Sequence, residues 1–129
     1  MEKVKNINKG NLIFEGEYLN GKRNGKGKEY YENGNISFKG KYLNGKRNVK
    51  GKEYYENGNI KFEGEYLNGE RNGKGKKNYY DGKLKYESEY LNDIKWNGKG
   101  YSKFSQSWNI PSITSTLIVL NLLIPFISY

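Results

Sequence analysis

The sequence predicts an all-β protein, a single-layer antiparallel meander of about four tandem β-hairpins followed by an apolar C-terminal segment that is compatible with a helix. Two observations support this fold class. First, the sequence repeats itself every 24 residues, and such a period is typical of repeat arrays in which each unit is one supersecondary element. Second, tyrosine, asparagine and glycine are abundant and alanine is absent, which favours strands and turns over helices.

The repeat is visible directly in the letters. FEGEYLNG at residues 14–21 returns at 62–69, with FKGKYLNG at 38–45 between them and YESEYLND following at 86–93. Blocks 14–37 and 38–61 are identical at 20 of 24 positions. The period therefore predicts a partial capping repeat over residues 1–13, a hairpin array over 14–104 and an uncharged apolar tail over 105–129.

Each block contains the signals of a hairpin, because two short alternating segments are separated by Asn-Gly pairs that tolerate positive φ. We expect a two-residue turn at Asn33-Gly34 and a second turn centred on Lys22-Arg23. The first turn would pair Tyr31 with Ile36, Glu29 with Phe38 and Gly27 with Gly40. The second would pair Tyr18 with Gly27, Gly16 with Glu29 and Phe14 with Tyr31, and it would set Glu17 opposite Lys28.

This register sorts the side chains onto two faces. Aromatic residues and glycines share one face, with Glu29 as its polar exception, and charged residues share the other, with Leu19 as its apolar exception. A single layer cannot cover an aromatic face unaided, so we expect sheet curvature, the tail, a second copy or a partner to cover it. The candidate partner contacts on this face are Phe14, Tyr18, Tyr31, Phe38, Tyr42, Tyr55, Phe62 and Tyr66.

The chain is basic, with 23 Lys and Arg against 14 Asp and Glu, a net charge of +9. Basic residues recur beside the turns and are expected to project from one edge of the sheet. The candidate contacts to anionic lipid headgroups are Lys22, Arg23, Lys26, Lys46, Arg47, Lys50, Arg71 and Lys74. The alternative interpretation is a solvated row of charge that protects the edge from aggregation.

The composition argues against most catalytic chemistry. There is no His and no Cys, so thiol nucleophiles, a Ser–His–Asp triad and the usual zinc, haem and iron–sulfur ligands are missing. Glu15 and Glu17 recur in the third block but become Lys39 and Lys41 in the second, which indicates solvated charge rather than an acid–base pair. We therefore predict no enzyme activity, no cofactor, no metal and no small-molecule substrate. Nucleic acid is disfavoured, because the many glutamates repel phosphates.

The block G-E-Y-L-N-G-K-R-N-G-K-G-x-x-Y-Y-x-N-G resembles the MORN (membrane occupation and recognition nexus) repeat over about residues 9–104. The resemblance implies a β-hairpin array used as an interaction module in scaffolding, dimerisation or attachment to membranes. The chain departs from the family pattern at Val49, Ser88 and Asp93, and after Phe104.

The uncharged tail has three interpretations: a membrane anchor, a helix packed on the sheet, and the end of a truncated reading frame. Residues 110–129 as a helix would be about 30 Å long, enough to cross a bilayer core. Lysines precede this segment, which would hold the array on the cytoplasmic side. The candidate insertion residues are Leu117, Ile118, Val119, Leu120, Leu122, Leu123, Ile124, Phe126 and Ile127.

Two functions from different classes follow. The first is a cytoplasmic scaffold at the inner face of a membrane, held by basic loops and the tail. The second is a soluble protein-binding or self-associating module, accessory or antitoxin-like, that uses the aromatic face.

Overall fold

The computed structural model of the protein describes residues 1–98, with the side chains of residues 1–96. Nine strands form one antiparallel sheet in sequence order, and the predicted single-layer all-β meander is confirmed. Four hairpins follow one N-terminal strand. The strands are β1 (Glu2–Asn8), β2 (Asn11–Leu19), β3 (Lys22–Tyr30), β4 (Ile36–Leu43), β5 (Lys46–Tyr54), β6 (Ile60–Leu67), β7 (Glu70–Asn78), β8 (Leu84–Leu91) and β9 (Ile94–Gly98).

The predicted turn at Lys22-Arg23 is wrong. The turn is at Asn20-Gly21, whose φ angles of 52° and 77° suit a two-residue hairpin turn, and Leu19 pairs with Lys22. The second Asn-Gly of the block instead forms a bulge, with φ of 91° at Gly25.

Several predicted pairs change as a result. Gly16 faces Gly27 and Phe14 faces Glu29, so the predicted pairs Tyr18–Gly27, Gly16–Glu29 and Phe14–Tyr31 are wrong. Lys28 faces Glu15 and not Glu17. The predicted faces survive, because the bulge adds two residues to β3 and an even insertion leaves the alternation of side chains intact.

The connection between β3 and β4 is also longer than predicted. The pairs Gly27–Gly40 and Glu29–Phe38 are confirmed, but Ile36 pairs with Tyr30 and not with Tyr31. Tyr31 N–H donates to the carbonyl of Asn35 at 2.8 Å, and Gly34 N–H donates to the carbonyl of Tyr31 at 3.0 Å. The extra residue is Ser37 of β4, which forms a one-residue bulge opposite the step from Glu29 to Tyr30.

Hydrogen bonds along both edges of the sheet join each hairpin to the next. On the edge with the two-residue turns, Gly45 N–H donates to the carbonyl of Arg23 at 2.8 Å, and Gly69 N–H donates to the carbonyl of Arg47 at 2.9 Å. On the opposite edge, the Asn35 side-chain amide donates to the carbonyl of Glu56 at 2.7 Å. The repeats therefore stack through nearest-neighbour contacts, as expected for a solenoid-like array.

Within residues 1–98 there is no helix long and apolar enough to span a membrane. The predicted tail (105–129), the end of the array near residue 104 and all the candidate insertion residues lie outside the described residues.

Candidate interaction surfaces

The aromatic face is closed by its own side chains, and the expectation that the sheet cannot cover it unaided is wrong. Phe14, Phe38 and Phe62 are 0% exposed in the monomer. Each ring rests on backbone: a Cβ added to Gly51 would lie 2.3 Å from the Phe38 ring. The aromatic core therefore depends on a glycine beneath each phenylalanine.

Tyrosines enclose the edges of these rings. Phe38 packs edge-on against Tyr42 and Tyr66, with ring centroids 5.7 and 5.4 Å apart and interplanar angles of 78° and 88°. Tyr42 and Tyr66 are each 4% exposed. Edge-to-face contacts of this kind add about 0.5–1.5 kcal/mol per pair beyond the area they bury.

Arginines cover the outer side of the phenylalanine rings. The guanidinium carbons of Arg23 and Arg47 lie 4.0 Å from the ring centroids of Phe14 and Phe38, and that of Arg71 lies 4.1 Å from Phe62. The expectation that these arginines project from the turns is therefore wrong. The turn at Asn20-Gly21 pairs Arg23 with Tyr18, and the later turns likewise pair Arg47 with Tyr42 and Arg71 with Tyr66. Each arginine therefore stands on the aromatic face, where a planar guanidinium stacks well on a ring.

Two of these arginines are held by a carboxylate from the preceding hairpin, Arg71 by Glu53 and Arg47 by Glu29. Arg71 Nε and Nη2 donate to the two oxygens of Glu53 at 2.8 and 2.9 Å, and the Tyr66 hydroxyl donates to the same carboxylate. Burial alone would raise the pKa of Glu53, but the hydrogen bonds from Arg71 and Tyr66 outweigh it and hold the pKa below its ordinary value. Glu29, the predicted polar exception, accepts hydrogen bonds from the Tyr42 hydroxyl and, at 3.1 Å, from Arg47 Nε.

The predicted partner-face residues are thus largely inaccessible. Besides the three phenylalanines, Tyr42 and Tyr66 are buried, while Tyr18, Tyr31 and Tyr55 are half-buried. The Tyr55 hydroxyl donates to the carbonyl of Asn78 at 2.7 Å. These tyrosines link neighbouring hairpins, and contact with a partner through them stays a prediction.

The predicted headgroup candidates separate into two groups. The five lysines among them, Lys22, Lys26, Lys46, Lys50 and Lys74, are exposed, whereas Arg23, Arg47 and Arg71 are half-buried over the aromatic face. Lipid contact by the lysines stays a prediction. Lys26 lies directly opposite Lys41, one of the lysines predicted to be merely solvated charge.

The face opposite the aromatic core carries a compact group of positive charges. Lys26 pairs with Lys41 and Lys28 with Lys39 across β3 and β4, and Lys39 pairs with Lys52 across β4 and β5. We call this group the lysine grid; its members are Lys26, Lys28, Lys39, Lys41, Lys50 and Lys52. The signal in the sequence was the replacement of a recurring Glu pair by Lys39 and Lys41.

Carboxylates flank the lysine grid without entering it. Lys52 Nζ lies 3.6 Å from Glu63 Oε2, and within residues 1–96 it is the one grid lysine in an ion pair. Like charges directly opposite each other on a sheet are destabilising, so the grid opposes the stability of the monomer.

One further difference separates the middle hairpin from its neighbours. Glu17 accepts a hydrogen bond from Lys26 N–H, and Glu65 accepts one from Lys74 N–H, both at 2.7 Å. A Cβ at Gly25 would lie 2.5 Å from the Glu17 carboxylate. In the hairpin β4–β5, Val49 stands at the position of Gly25 and Lys41 at the position of Glu17. The side chain of Val49 therefore occurs in the hairpin that lacks the glutamate it would contact.

Within the described part of the chain, no three His, Cys, Asp or Glu side chains are placed to hold a metal ion.

A family model described as MORN repeat matches residues 14–36 and 62–83, and a model described as MORN repeat variant matches residues 47–68. No curated protein gives a significant match to the chain. The segments 14–36 and 62–83 cover the hairpins β2–β3 and β6–β7, and the segment 47–68 covers β5 and β6. MORN repeats serve as scaffold and interaction modules, and this chain is a MORN-repeat protein.

Proposed function

We propose that the protein is a non-enzymatic scaffold that attaches to an anionic membrane surface through the lysine grid. The observation that carries the proposal is the set of directly opposed lysines on β3, β4 and β5. This arrangement disfavours the isolated monomer, and an anionic surface would remove the penalty by neutralising the charges.

The spacing of the grid suits a surface of many charges. Neighbouring grid lysines are about 5 Å apart across strands and about 7 Å apart along a strand. Both distances are below the Debye length of about 8 Å at physiological salt, so the charges act jointly. Each lysine close to an anionic membrane contributes about 1 kcal/mol, and the flanking glutamates reduce the total.

Exposed leucines lie beside the grid and supply an apolar contact. Leu19, Leu43 and Leu67 are 48%, 51% and 49% exposed and stand at the turn ends of β2, β4 and β6. By the alternation of side chains they share the charged face with the grid. A row of leucines beside lysines suits a bilayer interface, where apolar side chains enter the headgroup boundary and ammonium groups remain with the phosphates.

The apolar tail is retained in this proposal as a second attachment. Insertion of Leu117, Ile118 and their neighbours would not depend on lipid charge, unlike binding by the grid. The array would then lie at the cytoplasmic face of the membrane, as the lysines that precede the tail favour.

The test is co-sedimentation of the full chain with neutral and anionic vesicles at low and high salt. Replacing Lys39 and Lys41 by Gln removes two charges from the centre of the grid. It should weaken binding to anionic vesicles about 30-fold, from about 2 kcal/mol at about 1 kcal/mol per lysine. The control is Lys3→Gln with Lys5→Gln, which removes the same charge from β1, where each lysine faces a glutamate.

If the two double variants lose affinity for anionic vesicles equally, attachment depends on the net charge of the protein and not on the lysine grid. Full-length protein that stays soluble with every vesicle would contradict both the grid and the tail as attachments. Binding to neutral vesicles that survives high salt would assign attachment to the tail.

A further inference from the structure

The aromatic face carries a site that the two preceding repeats do not have. At intervals of 24 residues Glu29 and Glu53 are followed by Lys77, and Arg47 and Arg71 are followed by Lys95. The third unit therefore replaces an ion pair by two lysines, on the same face and in the same register: Lys77 pairs with Phe62 on one side and with Tyr86 on the other.

The donors of the third unit remain in place although the carboxylate is missing. Lys95 Nζ lies 4.1 Å from the ring centroid of Tyr86, the same distance at which Arg71 covers Phe62. The Tyr90 hydroxyl, whose counterpart Tyr66 donates to Glu53, donates instead to the Tyr86 hydroxyl at a long 3.3 Å.

Further cations surround this position. Lys85 Nζ lies 5.4 Å from the Tyr79 ring centroid and 6.0 Å from that of Tyr86. Within residues 1–96, Lys77, Lys85 and Lys95 form no ion pair. Burial lowers the pKa of Lys77, and the positive charges around it lower that pKa further. We call this the lysine–tyrosine patch; its members are Lys77, Lys85, Lys95, Tyr79, Tyr80 and Tyr86.

Exposed aromatic surface lies at one side of the patch. Tyr79 and Tyr80 are 51% and 59% exposed, and the Tyr80 ring packs against Tyr55 with centroids 5.1 Å apart. Tyrosine is enriched at protein interfaces, because the ring gives apolar contact at a small entropic cost.

The printed sequence has no aspartate and no glutamate after Asp93, and within residues 1–96 no carboxylate forms an ion pair with Lys77, Lys85 or Lys95. We propose that the lysine–tyrosine patch binds an acidic segment of a partner protein, with one Glu or Asp carboxylate in the position that Glu53 occupies in the preceding repeat. The chemical class follows from the chain itself, which places a carboxylate among the same tyrosine and cation donors in two repeats.

This inference goes beyond attachment to a membrane. The patch lies on the aromatic face and the lysine grid on the opposite face, so a protein partner and a membrane could be held together by one sheet. Binding of the partner and attachment to the membrane use different residues, so a variant can abolish one and leave the other intact.

The test measures fluorescence anisotropy of a labelled hexaglutamate peptide with the full chain, and a hexaglutamine peptide serves as the uncharged control. The informative variant is Lys77→Glu with Lys95→Arg, which restores the Glu–Arg pair of the other repeats and so should preserve the fold. It should weaken peptide binding at least tenfold. Lys3→Gln with Lys5→Gln changes the net charge equally, by −2 in both cases, and should weaken binding less than twofold.

The proposal is overturned if the two double variants weaken the peptide equally, because binding would then follow net charge. It is also overturned if Lys39→Gln with Lys41→Gln has the larger effect, because the peptide would then bind the grid. Tight binding of a single-stranded oligonucleotide that depends on Lys77 and Lys95, with no peptide binding, would assign the patch to nucleic acid. If the Glu–Arg variant fails to fold by circular dichroism, Lys77→Gln with Lys95→Gln replaces it under the same criteria.

Discussion

Arg71 lies over the ring of Phe62, with its guanidinium carbon 4.1 Å from the ring centroid, and the same guanidinium binds Glu53 through two hydrogen bonds. One side chain thus covers the core of its own hairpin and bonds to the hairpin before it. This double contact explains how a single-layer sheet buries a phenylalanine completely.

Replacing Arg71 by Met should destabilise the protein by about 2 kcal/mol or more. Methionine keeps apolar contact with Phe62 but leaves the mostly buried Glu53 carboxylate without its cation, and an uncompensated buried charge is costly. Chemical denaturation measures the loss. The exposed Lys74→Gln is the control and should change stability by less than about 0.5 kcal/mol; equal losses would show that Arg71 does not cover the core.

Stability should fall in acid because of Glu29 and Glu53. Their folded-state pKa values lie below the ordinary value of 4.5, because hydrogen bonds from arginine and tyrosine outweigh the effect of burial. A lowered pKa contributes stability above about pH 4.5 that is lost as the pH falls through the folded value. Chemical denaturation should show that the difference in free energy of unfolding between wild type and Glu53→Gln decreases from pH 6 to pH 2.5. A difference that does not change with pH would contradict the lowered pKa of Glu53.

Replacing Val49 by Gly should stabilise the protein by about 1 kcal/mol. Val49 has a φ of 69°, a left-handed conformation that is strained for a β-branched residue, and the same position is glycine in the neighbouring hairpins. Part of the gain in stability is offset because glycine has more conformational freedom in the unfolded chain. Thermal unfolding of wild type and Val49→Gly measures the net change in stability.

The reverse change, Gly73→Val, should destabilise the protein by more than Val49→Gly stabilises it. Gly73 has a φ of 101°, and a Cβ there would lie 2.7 Å from the Glu65 carboxylate. A neutral effect of both variants would mean that the bulge tolerates any residue.

Replacing Lys39 by Glu should stabilise the fold while weakening attachment to anionic vesicles. The new carboxylate would face Lys28 and Lys52, so two repulsive pairs become attractive, each worth about 0.2–1 kcal/mol at low salt. Denaturation and co-sedimentation of the same variant should therefore change in opposite directions. Lower stability would contradict the interpretation of the grid as an arrangement that the monomer alone does not favour.

The sequence could predict the meander, because a 24-residue period with Asn-Gly turns at fixed positions leaves few alternatives to stacked hairpins. It could also predict both faces, because the alternation of Phe14, Gly16 and Tyr18 with glutamates is unambiguous. It could not choose between Asn20-Gly21 and Asn24-Gly25, since both pairs tolerate positive φ and only one of them can be the turn. That choice decided the register.

The candidate sites followed the register and so were only partly predictable. Lysines next to the turns were recognised as exposed, but Arg23, Arg47 and Arg71 were expected beside them. Their position depends on which Asn-Gly pair forms the turn, because the turn at Asn20-Gly21 pairs Arg23 with Tyr18 on the aromatic face, and periodicity alone does not decide this. Lys77 and Lys95 could not be recognised as a candidate site either. They stand at the positions of Glu53 and Arg71, and only the structure shows that those two residues form an ion pair.

By itself, the sequence determined the repeat, the strand order and the separation of aromatic from charged residues, because these depend on local turn chemistry and on a period of two. The tertiary structure decided how the aromatic face is covered and which charges meet. Those outcomes arise between hairpins, where the arginine of one repeat meets the carboxylate of the previous repeat and lysines of neighbouring strands stand opposite each other. They depend on contacts between residues about 10–24 positions apart in the chain, set by a bulge of two residues.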